Sequence, residues 1–317
     1  MAAITAIIIW RQGSHELPAA TIDALQQGTL SCGDIFVLED GRPQQAKMRL
    51  RRCYPEVPVL TMAPNQGQAY LMQCGVRLAS GTELLLLDAG TVLQNEALAM
   101  LAEHLTVHSD AALVQPLLLI TEKPELILAA GSCLTPEGWA LPTAFGQPAA
   151  GFSGAPHPGA LPNEFCALLK KDKLVALGGF DVLLTEGCSL VELGIRILAS
   201  GDNIGFVAEA TARHPYCYPE RTPAARLSRL LLLARLLPGW RFNRLANSEF
   251  LRDSFLSMRA LLQGSTGEGA IALQKWFLLA RQFRALNVER RRLAPWWAKL
   301  EPELTCPVVE LPRLEFD

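Results

Sequence analysis

Between residues 65 and 90 the chain reads NQGQAYLMQCGVRLASGTELLLLDAG, and this stretch leaves few folds open. Asn65-Gln66-Gly67 is a turn sequence. Gln68 to Ser80 then spaces Leu71, Met72, Gly75, Leu78 and Ala79 along one side of a helix. Gly81 ends that helix without a Cβ penalty. Leu84 to Leu87 follow with no polar residue among them. A run of that kind belongs to a strand covered on both faces, as in the parallel sheets of α/β proteins. The strand stops at Asp88, and open α/β sheets place ligands and metals at the carboxyl ends of such strands.

The flanking chain alternates in the same way. Ile4 to Trp10 reads as a buried strand, Pro18 to Gln27 as a helix, and Asp34 to Leu38 as a second strand ending at Glu39-Asp40-Gly41. Gln44 to Cys53 is a basic helix and Val57 to Thr61 a third strand. Gln94 to Val107 carries Leu98, Leu101, Ala102 and Leu105 on one helical face, and Ala111 to Gln115 is the next strand. Ala144 to Pro162, rich in Gly, Pro, Ala and Ser, reads as a loop, with His157 in it treated as exposed and inert. Asn163 to Leu169 is strand-like, Lys170 to Leu177 a short helix, and Ser189 to Ser200 a longer one. Asn203 to Val207 and Ala210 to His214 read as a last strand pair. No G-x-G-x-x-G or Walker sequence is present, which argues against a dinucleotide or P-loop enzyme.

The 65–90 stretch resembles the core of family 2 glycosyltransferases of the GT-A fold, which read N-x-G-x-x-x-A-x-N-x-G, A-x-G, an apolar strand and Asp-x-Asp. Asn65, Gly67, Gly75, Ala79, Gly81 and Asp88 match. Gln73 departs from the family's Asn, and Gly90 stands where the second metal-binding Asp would be. Three later segments carry the likeness on. Cys166 to Asp181 ends in Gly178-Gly179-Phe180-Asp181; Val207 to His214 is similar to the family's closing strand; Leu126 to Gly138 is similar to its hairpin. The fold implied is a Rossmann-like mixed sheet flanked by helices over residues 1–222, with a basic helical extension and tail over 223–317.

The resemblance implies sites as well as a fold. Asp88 would hold Mg2+ or Mn2+, and His214 would reach the metal or the donor phosphates. Asn65, Glu39 and Asp40 would contact the nucleotide, although Asp40-Gly41 is also a common turn pair. The turn after the first strand is Trp10-Arg11-Gln12-Gly13, where the family usually has Tyr-Asn. The catalytic base of the family's Glu-Asp pair falls on Leu190, which takes no proton. Glu192 and Glu186 are the nearest carboxylates. Helical spacing also puts Glu192 and Arg196 on one face, where they would pair.

Charge is unevenly spread. Residues 221–300 hold 15 Lys and Arg against 4 Asp and Glu, whereas the remainder holds 14 against 27. A basic, tryptophan-bearing C-terminal region suggests an anionic partner, which is either a lipid surface or the acidic body itself. The eight cysteines show no metal-type spacing and read as reduced, buried thiols of a cytoplasmic protein, peripheral at most on the inner face of a membrane. No nucleic-acid partner is expected. Two functions follow. One is transfer of a sugar from a nucleotide-diphosphate sugar to a bacterial surface-glycan, lipid-linked or protein acceptor, in polysaccharide biosynthesis. The other is a pseudoenzyme that keeps the fold as a binding or scaffolding subunit, because Gly90 and Leu190 replace two functional carboxylates. A metal-independent transferase using Arg196 or Arg213 at the diphosphate is a third idea.

Overall fold

A computed structural model describes residues 3–11, 17–64, 66–152, 161–215 and 222–262, with 276–277, 279–281, 286–291, 293–299, 301 and 305 beyond them. Its first half alternates strand and helix: β1 (Ile4–Trp10), α1 (Ala19–Gln27), β2 (Asp34–Glu39), α2 (Gln44–Cys53), β3 (Val59–Thr61), α3 (Gln68–Leu78) and β4 (Glu83–Asp88). Then come β5 (Val92–Leu93), α4 (Ala97–Val107), β6 (Ala111–Ile120), β7 (Ile127–Ala129), β8 (Ser132–Leu134) and β9 (Ala140–Pro142). β10 (Cys166–Lys170), α5 (Lys171–Ala176), α6 (Ser189–Ala199), β11 (Asn203–His214), α7 (Pro223–Leu236) and α8 (Gly239–Leu262) complete the order.

The main sheet runs β3-β2-β1-β4-β10-β6-β11-β5, with β7 added on β6. β10 is antiparallel to both its neighbours, while β1, β2, β3 and β4 are mutually parallel. The apolar runs are continuous because both faces are covered. In β1, Ile4, Ala6, Ile8 and Trp10 join a core shared with Ile22, Leu50 and Leu101 of α1, α2 and α4. Ile7 and Ile9 alternate to the other face, against Leu71 and Met72 of α3 and Leu193 of α6.

Two differences from the sequence reading share a cause. The strand expected to stop at Gln115 continues through Pro116 to Ile120. The expected strand pair 203–214 is one strand, β11, whose register on β6 jumps between Val207 and Thr211. Val207 is the partner of Pro116, so β11 bulges where its neighbour lacks an N–H to give. The hairpin expected over 126–138 also differs. β7 pairs with β6 in the main sheet, and β8 pairs with β9 in a separate two-stranded one.

The C-terminal helices are seated on this body. Leu231, Leu232 and Leu236 of α7 share a core with Leu134, Leu161, Leu184, Val191 and Ile195. α6 is therefore buried all round, with Leu190, Leu193 and Ile197 facing the sheet and Val191 and Ile195 facing α7. Arg235 of α7, almost wholly buried, pairs with Asp181, with Glu289 and, at 3.8 Å, with Glu192. These are the contacts of basic helices resting on an acidic body. Among the described residues no helix is long and apolar enough to cross a membrane. Six described cysteines are free thiols; Cys166 and Cys188 are buried, whereas Cys53 is exposed and Cys32, Cys74 and Cys133 are partly exposed, so burial is less general than expected.

Candidate functional site

β4 delivers Asp88 to the carboxyl edge of the sheet, and the link Ala89-Gly90-Thr91 carries the chain on to β5. β5 pairs with the end of β11, Val92 opposite Arg213, so the sheet curls and brings His214 back to Asp88. His214 Nε2 lies 3.2 Å from Asp88 Oδ2, and the imidazole packs at a tilt of 37° against Phe165, ring centroids 4.3 Å apart. The Phe165 carbonyl in turn accepts the Asp88 N–H at 2.8 Å. From the end of β1, Arg11 brings its Nε to 3.9 Å from Asp88 Oδ1. Asp88 Oδ1 and Arg11 Nε are both buried and make no hydrogen bond.

The proton inventory of His214 is informative. Its Nδ1 lies 2.7 Å from the Pro215 carbonyl, which can only accept, so Nδ1 carries a proton. Nε2 then faces a carboxylate at 3.2 Å. The contact is attractive only if the ring is an imidazolium, or if a cation lies between the two. A backbone carbonyl on one ring nitrogen, which leaves the other for a ligand, is also the second-shell arrangement of metal-binding histidines.

Gly90 has φ +95°, and the Thr91 N–H bonds back to the Asp88 carbonyl at 3.0 Å, closing a tight turn. This backbone region disfavours any L residue, so the turn itself selects glycine over a second acidic ligand here. Among the described residues no group of three His, Cys, Asp or Glu side chains is placed to hold a metal. Asp88 and His214 supply two donors, and an oxygen-loving divalent cation commonly keeps water and substrate phosphate in its other positions. The pair fits a cation held in that way, through the unpartnered Oδ1 of Asp88 and Nε2 of His214.

The other expected site residues fall in varied places. Glu39 is fully buried and turned back on its own chain, accepting from Gly41 N, Arg42 N and Lys47 Nζ at 2.9–3.0 Å. Burial pushes its pKa up, but hydrogen bonds from Thr61, Lys47, Arg42 and Gly41 win and hold it below the usual range. Asp40 is buried beside it, and the Arg42 guanidinium lies over Trp10, 4.6 Å from the ring centroid. Asn65 and His157 lie outside the described residues. Gly67, two residues after Asn65, has φ +84°, and a Cβ there would stand 2.6 Å from the Thr185 carbonyl. The Gln68 N–H bonds that same carbonyl, so the turn is locked to the segment leading into α6. Gln73, the departure from the family's Asn, accepts the Phe180 N–H at 2.7 Å.

On α6, Leu190 is wholly buried under the sheet. Glu192 gives both carboxylate oxygens to Arg196, at 2.8 and 2.7 Å, and the guanidinium also donates to the Leu177 and Gly179 carbonyls. Glu186 accepts from Thr222, whose side chain caps α7. Both expected bases are thus committed to packing. Arg196 is equally committed, and Arg213 lies on the β11 face opposite His214, lining a cavity of about 460 Å3 with Glu96 and Glu209. The cation at Asp88 is Arg11, which the sequence reading passed over although it noted the unusual turn that holds it.

A second residue was missed. Glu164, just before β10, sends Oε1 to the N–H groups of Leu190 and Val191, 2.9 and 3.1 Å away. Burial pushes its pKa up to about 7 against the pull of those N–H groups and of Arg11. A carboxylate therefore does sit at the start of α6, brought from another segment. The one signal for it was the loss at Leu190, which called for a search among polar residues bordering the neighbouring strand.

No protein-family model matches the sequence, and no curated protein sequence matches it. Solved structures do match. The structure of GalNAc-T7 with UDP, GalNAc and Mn2+ superposes with a TM-score of 0.62 at 13% identity, over 87% of this chain and 54% of that one. This chain therefore spans about half the length of that relative. The mannosyltransferase PcManGT from Pyrobaculum calidifontis, in complex with GDP-Man and Mn2+, gives a TM-score of 0.48 at 14% identity, over 95% of this chain and 87% of that one.

Proposed function

The chain has the GT-A glycosyltransferase fold, and we propose that it binds a nucleotide-diphosphate sugar and transfers the sugar to a hydroxyl acceptor. The convergence of Asp88, His214 and Arg11 at the carboxyl edge of β4 carries this reading. Open α/β sheets bind ligands at that edge. The donor class draws support from the fold on which GalNAc-T7 holds UDP and GalNAc.

In this reading Arg11 attracts the diphosphate, and Asp88 keeps its guanidinium in place. Asp88 and His214 would also hold Mg2+ or Mn2+, which when bound neutralises charge on the leaving diphosphate. The Glu39–Asp40 turn borders the nucleoside, and Asn65 is proposed to contact it. The acceptor is the hydroxyl of a surface-glycan, lipid-linked or protein substrate. The test is calorimetric titration with UDP- and GDP-sugars, with and without Mn2+. Micromolar to millimolar binding that weakens at least tenfold in Asp88→Ala supports the reading.

The scaffolding alternative keeps one specific support, the pairing of a backbone-selected Gly90 with a core-facing Leu190. Sugar-nucleotide binding with no release of nucleoside diphosphate, whatever the acceptor, would favour it.

Peripheral contact with anionic lipid rests on α8. Leu251, Phe255, Met258 and Leu262 are all more than half exposed and recur at i, i+4, i+7 and i+11, one helical stripe. Exposed Arg252 and Arg259 flank it, and Trp240 at the start of the helix is 70% exposed. Apolar and aromatic residues bordered by arginine suit the headgroup boundary.

A further inference from the structure

Glu164 lies one residue before the Phe165 that packs against His214 and accepts the Asp88 N–H. It is fixed at two points: its carbonyl accepts Gln68 Nε2 at 3.0 Å, and its Oε1 accepts two first-turn N–H groups of α6. One of those belongs to Leu190, the residue standing where a base is expected. Its Oε2 is buried and accepts no hydrogen bond. Capping does not require that second oxygen, because a neutral amide would satisfy the same N–H groups. An unpaired buried carboxylate oxygen is unfavourable and marks a place where a donor arrives. The residue as a whole is only partly buried.

We propose that Glu164 is the general base of the transfer, a role that rests on the sugar-nucleotide reading above. Its Oε2 takes the proton of the acceptor hydroxyl while the acceptor oxygen bonds to the anomeric carbon of the donor. The bond from that carbon to the diphosphate oxygen breaks, and its electron pair leaves on the nucleoside diphosphate. The proton passes from Glu164 to solvent as products depart. Arg11 then has two tasks, since it faces both carboxylates, Asp88 directly and Glu164 through its charge.

The raised pKa suits the role, because a base works best when its pKa lies near the working pH. The groups around Glu164 are Arg11 from the end of β1, Cys188 from the turn into α6, and beyond Arg11 the Asp88–His214 pair. The Cys188 thiol is driven far up by burial and by the charge of Glu164, so it stays neutral. Glu192 and Asp181 are also felt at Cys188 and are balanced by Arg235.

The test is release of UDP or GDP from UDP-glucose, UDP-N-acetylglucosamine and GDP-mannose by the full chain, with water as acceptor, over about pH 5 to 9. Glu164→Gln keeps an oxygen for the α6 N–H groups, so its thermal midpoint does not fall below that of wild type and folding does not confound the result. We expect its donor affinity by calorimetry to stay within about twofold while kcat falls on the order of 10²–10⁴-fold. We also expect the wild-type rise in rate through about pH 7 to vanish in the variant. A cap alone would leave that pH limb in place. Turnover in Glu164→Gln within about threefold of wild type, with the limb unchanged, overturns the proposal. Donor binding by the wild type without any release overturns it too, while sparing the binding reading. Absence of donor binding sinks the parent reading and the base together.

Discussion

Glu192→Gln separates packing from chemistry on α6. The Glu192 side chain is 5% exposed and its partner Arg196 10%, so the substitution removes one charge from a buried pair. Breaking such a pair costs about 3–5 kcal/mol. Two features reduce that figure here. Glutamine retains one oxygen for the guanidinium, and Arg196 keeps the Leu177 and Gly179 carbonyls, each at 2.8 Å. Arg235, 3.8 Å from Glu192, keeps Asp181 and Glu289. The expected loss is about 2–3 kcal/mol, or roughly 4–6 °C in thermal midpoint for a chain of this size. Replacing both partners by apolar residues, Glu192→Leu with Arg196→Met, should cost less than the sum of the single changes, with a coupling of about 2 kcal/mol. The assay pairs unfolding followed by circular dichroism with donor hydrolysis well below the midpoint. Turnover per folded molecule should stay within a few-fold of wild type. A variant with the wild-type midpoint and a rate lower by about 100-fold would refute the structural assignment and return Glu192 to the chemistry.

Three further outcomes are expected. Gly67→Ala places a Cβ 2.6 Å from the Thr185 backbone at φ +84°, and should lower stability by about 2–4 kcal/mol in urea unfolding; a shift under about 0.5 kcal/mol would contradict the close approach. Glu164 has a folded pKa of about 7, above its unfolded value, so its contribution is fully present at low pH and is lost as pH rises from about 4.5 to 7. Wild type should therefore lose about 3 kcal/mol relative to Glu164→Gln across that window, and parallel stability curves would count against the buried carboxylate. Leu251→Ser with Phe255→Ser should release the chain from phosphatidylserine vesicles in co-sedimentation while leaving donor binding unchanged; equal sedimentation of both proteins would remove the lipid reading.

Much of the body is legible because its signals are local. The apolar runs of β1 and β4 and the one-sided spacing of α3 and α4 each fix an element within a few residues. Asp88 is equally legible, since it ends a buried run. What the sequence hides is pairing over distance. The strand expected to stop at Gln115 continues because β11, about ninety residues later in the chain, bulges where it meets Pro116. β5 is only Val92 and Leu93, too short for a periodicity, yet it closes the sheet and sets His214 on Asp88. Glu164 belongs to no motif, and its meaning comes from N–H groups 26 and 27 residues away. The paired Glu192 and Arg196 show the reverse case, in which an i, i+4 spacing alone announced the contact that forms.

The most direct test of the account is calorimetry of wild type and Arg11→Ala with UDP-N-acetylglucosamine and GDP-mannose, each with and without Mn2+. Wild type should bind at least one of these donors. Loss of the Arg11 guanidinium, 3.9 Å from Asp88, should weaken that binding by about ten- to a hundredfold at low salt. Wild type that binds neither donor, or an Arg11→Ala protein that binds as tightly as wild type, would contradict the placement of the diphosphate at Asp88.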